Sequence, residues 1–295
     1  KGTSRYVGNI VWAAATLGLT TSNLLNEIES HAELFVKMAE TPQCVANTIW
    51  ACATVGVPAP QLVAAIDQRA LWFLEQDQVQ GIPNIAWACG KLDLPAPHFF
   101  AEMNKRARTL FLSWKPQGVA NTAWACGRLY IQAPELFEEI EKDARWMVQQ
   151  ASPQEVASVA WACGRLMYEA PNLFSAIENE AERLVMGPDC TTQSVSNTAY
   201  GLAELRFVNV PIFFDLMDRR AEWLVSTGSP QCVSNLAWAC GKLGIAAPNL
   251  FAEMNSHAAA LVAAGSPQDV ANMSLACSRL SVTAPRLVAE MQKHA

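Results

Sequence analysis

One fourteen-residue phrase, PQGVANTAWACGRL at 116–129, returns with small changes from one end of the chain to the other. Registered on its Asn, it places Asn9, Asn47, Asn84, Asn121, Ser158, Asn197, Asn235 and Asn272 in equivalent positions, at spacings of 38, 37, 37, 37, 39, 38 and 37 residues. Eight such units cover essentially all of the 295 residues. A unit of this size cannot bury an apolar face alone, so the period predicts a stacked array rather than the pair of globular domains that length would suggest.

Each unit has two halves, and both read as helices. Ser152, Ser229 and Ser266 stand as N-caps before a Pro at the first helical position, and Glu155 completes a capping box with Ser152. The second half opens at a Pro (Pro60, Pro97, Pro134, Pro171, Pro248, Pro285) and continues with apolar residues at helical spacing, as in Leu136, Phe137, Ile140 and Ala144. Alternation of β-branched residues is missing. The fold class expected is therefore all-α: an α-α solenoid of about eight two-helix repeats of 37–39 residues, with 1–295 forming one continuous superhelical array. The N-terminus begins partway through a repeat without signal or transit character, so a fragment of a longer or processed chain is expected. The sixth repeat is irregular: MGPDCTTQSV replaces the Ser-Pro-Gln start and Tyr200 replaces Trp, marking either a bend or local drift.

An apolar fraction of 51% and mean hydropathy of +0.11 are ample for a core, and no run is long and apolar enough for a membrane span. Nine cysteines are an odd number, and six of them (Cys52, Cys89, Cys126, Cys163, Cys240, Cys277) share one repeat position with no C-x-x-C pair. They read as small buried hydrophobes in an intracellular, reducing setting rather than as disulfides or metal ligands.

On a helix at about 100° per residue the first half separates into faces. Val119, Cys126 and Leu129 form a core face; Ala120, Ala123 and Gly127 form a small-residue face for close helix approach. Gln117, Asn121, Trp124 and Arg128 share a third face, which recurs as Gln80, Asn84, Trp87 and Lys91; Gln154, Ser158, Trp161 and Arg165; Gln231, Asn235, Trp238 and Lys242; and Gln268, Asn272, Leu275 and Arg279. The second repeat contributes Gln43, Asn47 and Trp50 but ends in Thr54; the sixth contributes Asn197 and Tyr200 with Glu204 in the basic position. Stacked repeats would turn these residues into ladders of amide, aromatic and cation. Amides offer donors and acceptors to base edges, aromatic rings stack on bases, and cations neutralise phosphates, so the stripe suits single-stranded RNA at one base per repeat. The same residues also have structural uses: Trp as filler between repeats, Asn as an inter-repeat rung, and a cation at a helix C-terminus.

Charge argues the other way, with 21 Lys+Arg against 27 Asp+Glu and a net charge of −6. The acids concentrate in the second halves, as at Glu135, Glu138, Glu139, Glu141 and Asp143, which leaves room for a locally positive first-helix face.

The run PQxVANTAWACGKL, followed by Pro-x-Leu-Phe with this period, resembles the octotricopeptide repeat proteins of algal, dinoflagellate and apicomplexan organelles. The matching parts are the Pro-Gln starts (Pro116-Gln117, Pro153-Gln154, Pro230-Gln231, Pro267-Gln268) and the core Ala120 to Ala125. The resemblance implies an organellar RNA-binding factor, in chloroplast or mitochondrion, acting in transcript stability, processing or translation, with the first helix lining the RNA-facing surface. The variable site after Pro-Gln, occupied by Cys44, Gly118, Glu155, Ser194, Cys232 and Asp269, reads either as base-reading positions or as unconstrained exposed residues.

The competing function is a protein-interaction scaffold that grips an extended peptide or serves as a structural subunit of a large organellar complex, to which an acidic body is suited. Catalysis is not expected. His31, His98, His257 and His294 form no ligand cluster, three of them sharing an outward second-helix position, and no nucleophile set, phosphate loop or metal spacing occurs. No cofactor and no small-molecule substrate are expected.

Overall fold

The computed structural model describes residues 3–19, 22–76 and 80–293, and among them are twenty-three helices and no strand. The chain divides into two compact units, Lys1–Ile140 and Glu141–Ala295. Each unit is an all-α solenoid in which consecutive first helices stack as one layer and the second halves pack as another. The first helices of the first unit are Thr3–Thr16, Pro42–Val55, Gly81–Leu92 and Pro116–Leu129; those of the second are Pro153–Leu166, Thr192–Glu204, Pro230–Leu243 and Pro267–Arg279.

The starts follow the capping signals. Ser152, Ser229 and Ser266 each accept the backbone N–H three residues on, and the Ser152–Glu155 box is joined by boxes at Thr191–Ser194 and Ser266–Asp269. In the third repeat the helix begins at Gly81, with Gln80 as N-cap. Pro83 explains the late start, because a Pro is tolerated only in the first turn, where its missing N–H has no intrahelical partner.

The stops are equally regular. Gly56 and Gly244 take left-handed backbone (φ 74° and 71°), and Asp93, Tyr130 and Met167 adopt it without being Gly (φ 59°, 54° and 55°). The next N–H turns back to a cysteine carbonyl: Val57 to Cys52, Ile131 to Cys126 and Tyr168 to Cys163, each at 2.9 Å. The thiols of those cysteines lie in the core, and burial pushes Cys52, Cys89, Cys126 and Cys240 up to about 12. All nine cysteines are free thiols and buried.

Small residues set the spacing of the layer. A Cβ added at Gly241 would lie 2.9 Å from Ala276 Cα, and one at Gly201 only 2.2 Å from the Ala160 carbonyl oxygen. The small-residue face therefore does bring the first helices into backbone contact.

The second half departs from the expected single helix. It is two short helices, as in Pro60–Gln68 followed by Ala70–Gln76, separated by one residue near φ −109°, ψ 23°. Arg106, Glu180, Arg220 and His257 occupy the same breaking position in other repeats. There the backbone makes tighter bonds three residues back, Arg69 to Ile66 at 3.1 Å and Arg220 to Met217 at 3.1 Å, a local 3₁₀ turn. The following Ala (Ala70, Ala107, Ala181, Ala221) is then buried.

The N-termini of the second-half helices are capped from the preceding repeat. Their N-cap residues Ala59, Ala96, Ala170, Val210 and Ala247 make no side-chain cap. Instead Glu29 accepts the N–H groups of Gln61 and Leu62, Asp67 that of Phe99, Asn104 that of Leu136, and Glu178 those of Ile212 and Phe213. Asp218 and Asn255 continue the series on Leu250 and Arg286. A carboxylate on two orphan N–H groups at a helix N-terminus makes charge-assisted bonds in a favourable dipole field. The opposite ends are also served in trans: Arg69, Arg183 and Arg220 donate to the carbonyls of Val36, Ala151 and Val185 in the preceding repeat.

Candidate functional site

The amide, aromatic and basic residues of the first helices form ladders within each unit, and they are neither sealed in the core nor fully solvated. Asn47, Asn84, Asn121, Asn197, Asn235 and Asn272 are half-buried, as are Gln43, Trp50, Trp87, Trp124, Trp161, Tyr200 and Trp238. Gln80, Gln117, Gln154, Gln231 and Gln268 are exposed. Gln80, as N-cap, lies off the helical stripe on which the sequence places it.

The amides bond to one another. Gln43 Nε2 donates to Asn47 Oδ1 at 2.8 Å, and Asn47 Nδ2 donates across the repeat boundary to Asn9 Oδ1 at 3.4 Å. Gln268 Nε2 repeats the local bond to Asn272 at 3.1 Å, whereas Ser158 Oγ turns to the Gln154 carbonyl at 2.9 Å.

Aromatic rings stack between repeats. Trp50 lies between Trp12 (6.3 Å, 39°) and Trp87 (6.2 Å, 32°), tilted against both, and is half-buried. In the second unit Tyr200 stacks on Trp238 at 5.3 Å and 22°. These distances are ordinary for aromatic pairs and make the row a packing element as well as a surface.

The cations differ from one another. Lys91, Arg128 and Arg279 are exposed, and Arg128 reaches Asp93 at 3.5 Å. Arg165 and Lys242 are half-buried over the rings of Trp161 (5.6 Å) and Trp238 (4.5 Å). Lys242 Nζ also meets Glu204 Oε2 at 2.5 Å. Tyr200 bonds to both Arg165 and Glu204, and burial raises its hydroxyl above the usual tyrosine value. Glu204 stands out in the sequence as an acid in a basic position; its neutralising contact with the next repeat depends on the stacking and is not visible there.

The variable first-turn site is not an exposed reading position. Cys44, Ser194, Cys232 and Asp269 are buried, Gly118 packs against Pro83, and Glu155 is spent on its capping box. Asp269 also accepts Ser234 Oγ at 2.9 Å. Position N3 faces the preceding helix and the N-cap at once, so it is used for caps and packing.

The position shared by His31 and His257 is the breaking residue of the second half and is not uniformly outward. His31 is exposed, but His257 and its equivalents Arg69, Arg106 and Arg220 are half-buried. His98 bonds to Asp67 at 2.8 Å, and His294 lies outside the described residues. Among the described residues no group of three or more His, Cys, Asp or Glu could hold a metal ion, and no helix is long and apolar enough to cross a membrane.

A family model described as RNA-editing substrate-binding complex 6 protein (RESC6) matches residues 3–209, well over half of the chain. The chain belongs to that family. The match runs across the Asn47–Asn9 rung, the Trp12–Trp50–Trp87 stack and the Tyr200–Glu204 region. Membership of the RESC6 family associates the chain with a family whose description names an RNA-editing complex, a coarser statement than the octotricopeptide resemblance. Comparison with curated proteins returns no significant match.

Proposed function

We propose that the protein is a non-catalytic helical-repeat subunit of an organellar RNA-handling assembly, and that it contacts single-stranded RNA along its first-helix face. The observation that carries this reading is the repeated half-open row itself: an amide on each rung, an aromatic ring on seven of the eight and an exposed cation on three, in a chain of a family described by an RNA-editing complex. Amides and aromatic rings at one rung per repeat suit one base per repeat, and the exposed Lys91, Arg128 and Arg279 supply phosphate contacts. The octotricopeptide-like motif supports the same role in transcript stability, processing or translation.

A protein-scaffold reading is favoured by one observation: amides bond to amides and cations to acids along the row, as at Gln43–Asn47 and Lys242–Glu204, which leaves fewer groups open to a polyanion. The two readings part in one experiment. Affinity for labelled single-stranded RNA is measured at two salt concentrations for the natural chain and for Lys91→Ala, Arg128→Ala and Arg279→Ala combined. RNA binding predicts a salt-dependent affinity that falls at least tenfold in the triple variant; a salt-independent or undetectable affinity assigns the face to an extended peptide or to complex assembly.

A further inference from the structure

The sixth repeat breaks the cation row, and what replaces it is a closed cluster in the second unit. Glu204 Oε2 lies 2.5 Å from Lys242 Nζ of the seventh repeat, and their side chains are only 22% and 19% exposed. Lys242 also sits over Trp238, which stacks on Tyr200, and Tyr200 bonds to Glu204 and to Arg165 of the fifth repeat. Space for Glu204 is made by Gly164, whose added Cβ would stand 3.1 Å from Glu204 Cβ. By contrast, Arg128 and Asp93 meet at 3.5 Å with side chains 48% and 63% exposed. An exposed pair of that kind is screened and holds its cation weakly, whereas a short, largely buried pair withholds its cation from solution anions.

We infer that Glu204 is a specificity-determining residue that closes the anion track between the fifth and seventh repeats, holding Lys242 and Arg165 away from phosphate and confining RNA backbone contact to the rungs with open cations. This rests on the RNA-binding reading above. Glu204 stands where five of the eight repeats carry Lys or Arg, so it subtracts a phosphate contact of its own and withdraws Lys242 directly and Arg165 through Tyr200. A strand crossing repeats five to seven meets stacked rings and a neutralised cluster, while a strand on the third and fourth repeats meets Lys91 and the loosely held Arg128.

The test compares single-stranded RNA affinity and its salt slope for the natural chain, Glu204→Gln, Lys242→Gln and Lys91→Gln, with Glu222→Gln as a remote control of equal charge change. Glu204→Gln is expected to tighten binding about threefold to tenfold and to steepen the slope by about 0.7 for each cation freed, while Glu222→Gln does neither. Lys242→Gln is expected to change affinity far less than Lys91→Gln, which lowers it severalfold. The inference is overturned if Lys242→Gln weakens binding as much as Lys91→Gln, or if Glu204→Gln and Glu222→Gln act alike while Lys91→Gln still weakens binding. Should Lys91→Gln also be without effect, the RNA-binding reading falls with it. Lys242→Gln keeps the test decisive if Glu204→Gln lowers folding yield, because its expected result concerns the natural cluster.

Discussion

Glu141 in one repeat holds the start of a helix in the next: its Oε2 accepts the Leu173 N–H at 3.0 Å while Oε1 accepts that of Asn172 at 2.6 Å. Because Ala170 at the N-cap supplies no side-chain acceptor, the cap belongs to the stack rather than to the helix. Glu141→Ala is expected to destabilise the second unit by about 1–2 kcal/mol, with Glu141→Gln intermediate, measured by urea unfolding followed by circular dichroism.

Gly201→Ala should cost about 1–3 kcal/mol, because its Cβ would fall 2.2 Å from the Ala160 carbonyl oxygen and the contact is backbone on backbone. The same method checks it. A stability equal to that of the natural chain would mean that the first helices separate more readily than their close approach implies.

Met167→Gly is expected to act in the opposite direction. Met167 holds φ 55° in left-handed backbone and is 62% exposed, so Gly relieves the strain and gives up little packing. A gain of about 0.5–1 kcal/mol is expected by thermal unfolding, reduced by the greater freedom of Gly in the unfolded chain.

High pH should weaken the fold. Burial raises Cys52, Cys89, Cys126 and Cys240 to about 12, while an unfolded thiol ionises near about 8.5. Their folded values lie above the unfolded ones, so the stability they contribute is complete below about 8.5 and is lost as pH rises toward 12. The urea midpoint is therefore expected to drop between pH 8 and pH 10, and native thiols to resist alkylation at pH 8 until the chain is unfolded.

Trp50→Leu tests the aromatic row. Losing both the Trp12 and Trp87 contacts should cost about 1–3 kcal/mol in thermal unfolding, although Leu275 fills the equivalent place in the last repeat. A fall in stability without a matching fall in RNA affinity would assign the row to packing alone.

The first helices are legible in the sequence because their signals are local: Ser before Pro, and apolar spacing within fourteen residues. The break at Arg69 is not legible in this way, since neither Pro nor Gly causes it and the apolar spacing runs through it. The capping acids are harder still, because Asp67 and Phe99 are 32 residues apart and meet only after stacking. A signal for them does exist: Asp67, Asn104, Glu141, Glu178, Asp218 and Asn255 each stand seven residues after the Pro of their half-repeat. Read in isolation they look like part of a solvated acidic face. The candidate row is legible as a set of positions, but which cations stay open depends on acids contributed by neighbouring repeats, as Glu204 does for Lys242.

The helix starts that borrow their caps from upstream give the array a direction. A repeat such as the one opening at Pro211 has its helix start capped only once Glu178 is in place before it, and in return its Arg220 closes on the Val185 carbonyl at the end of that preceding repeat. Each junction is therefore signed, with acids and amides reaching forward to helix starts and arginines reaching back to helix ends, so a repeat removed from its stack would leave unsatisfied backbone groups on both neighbours.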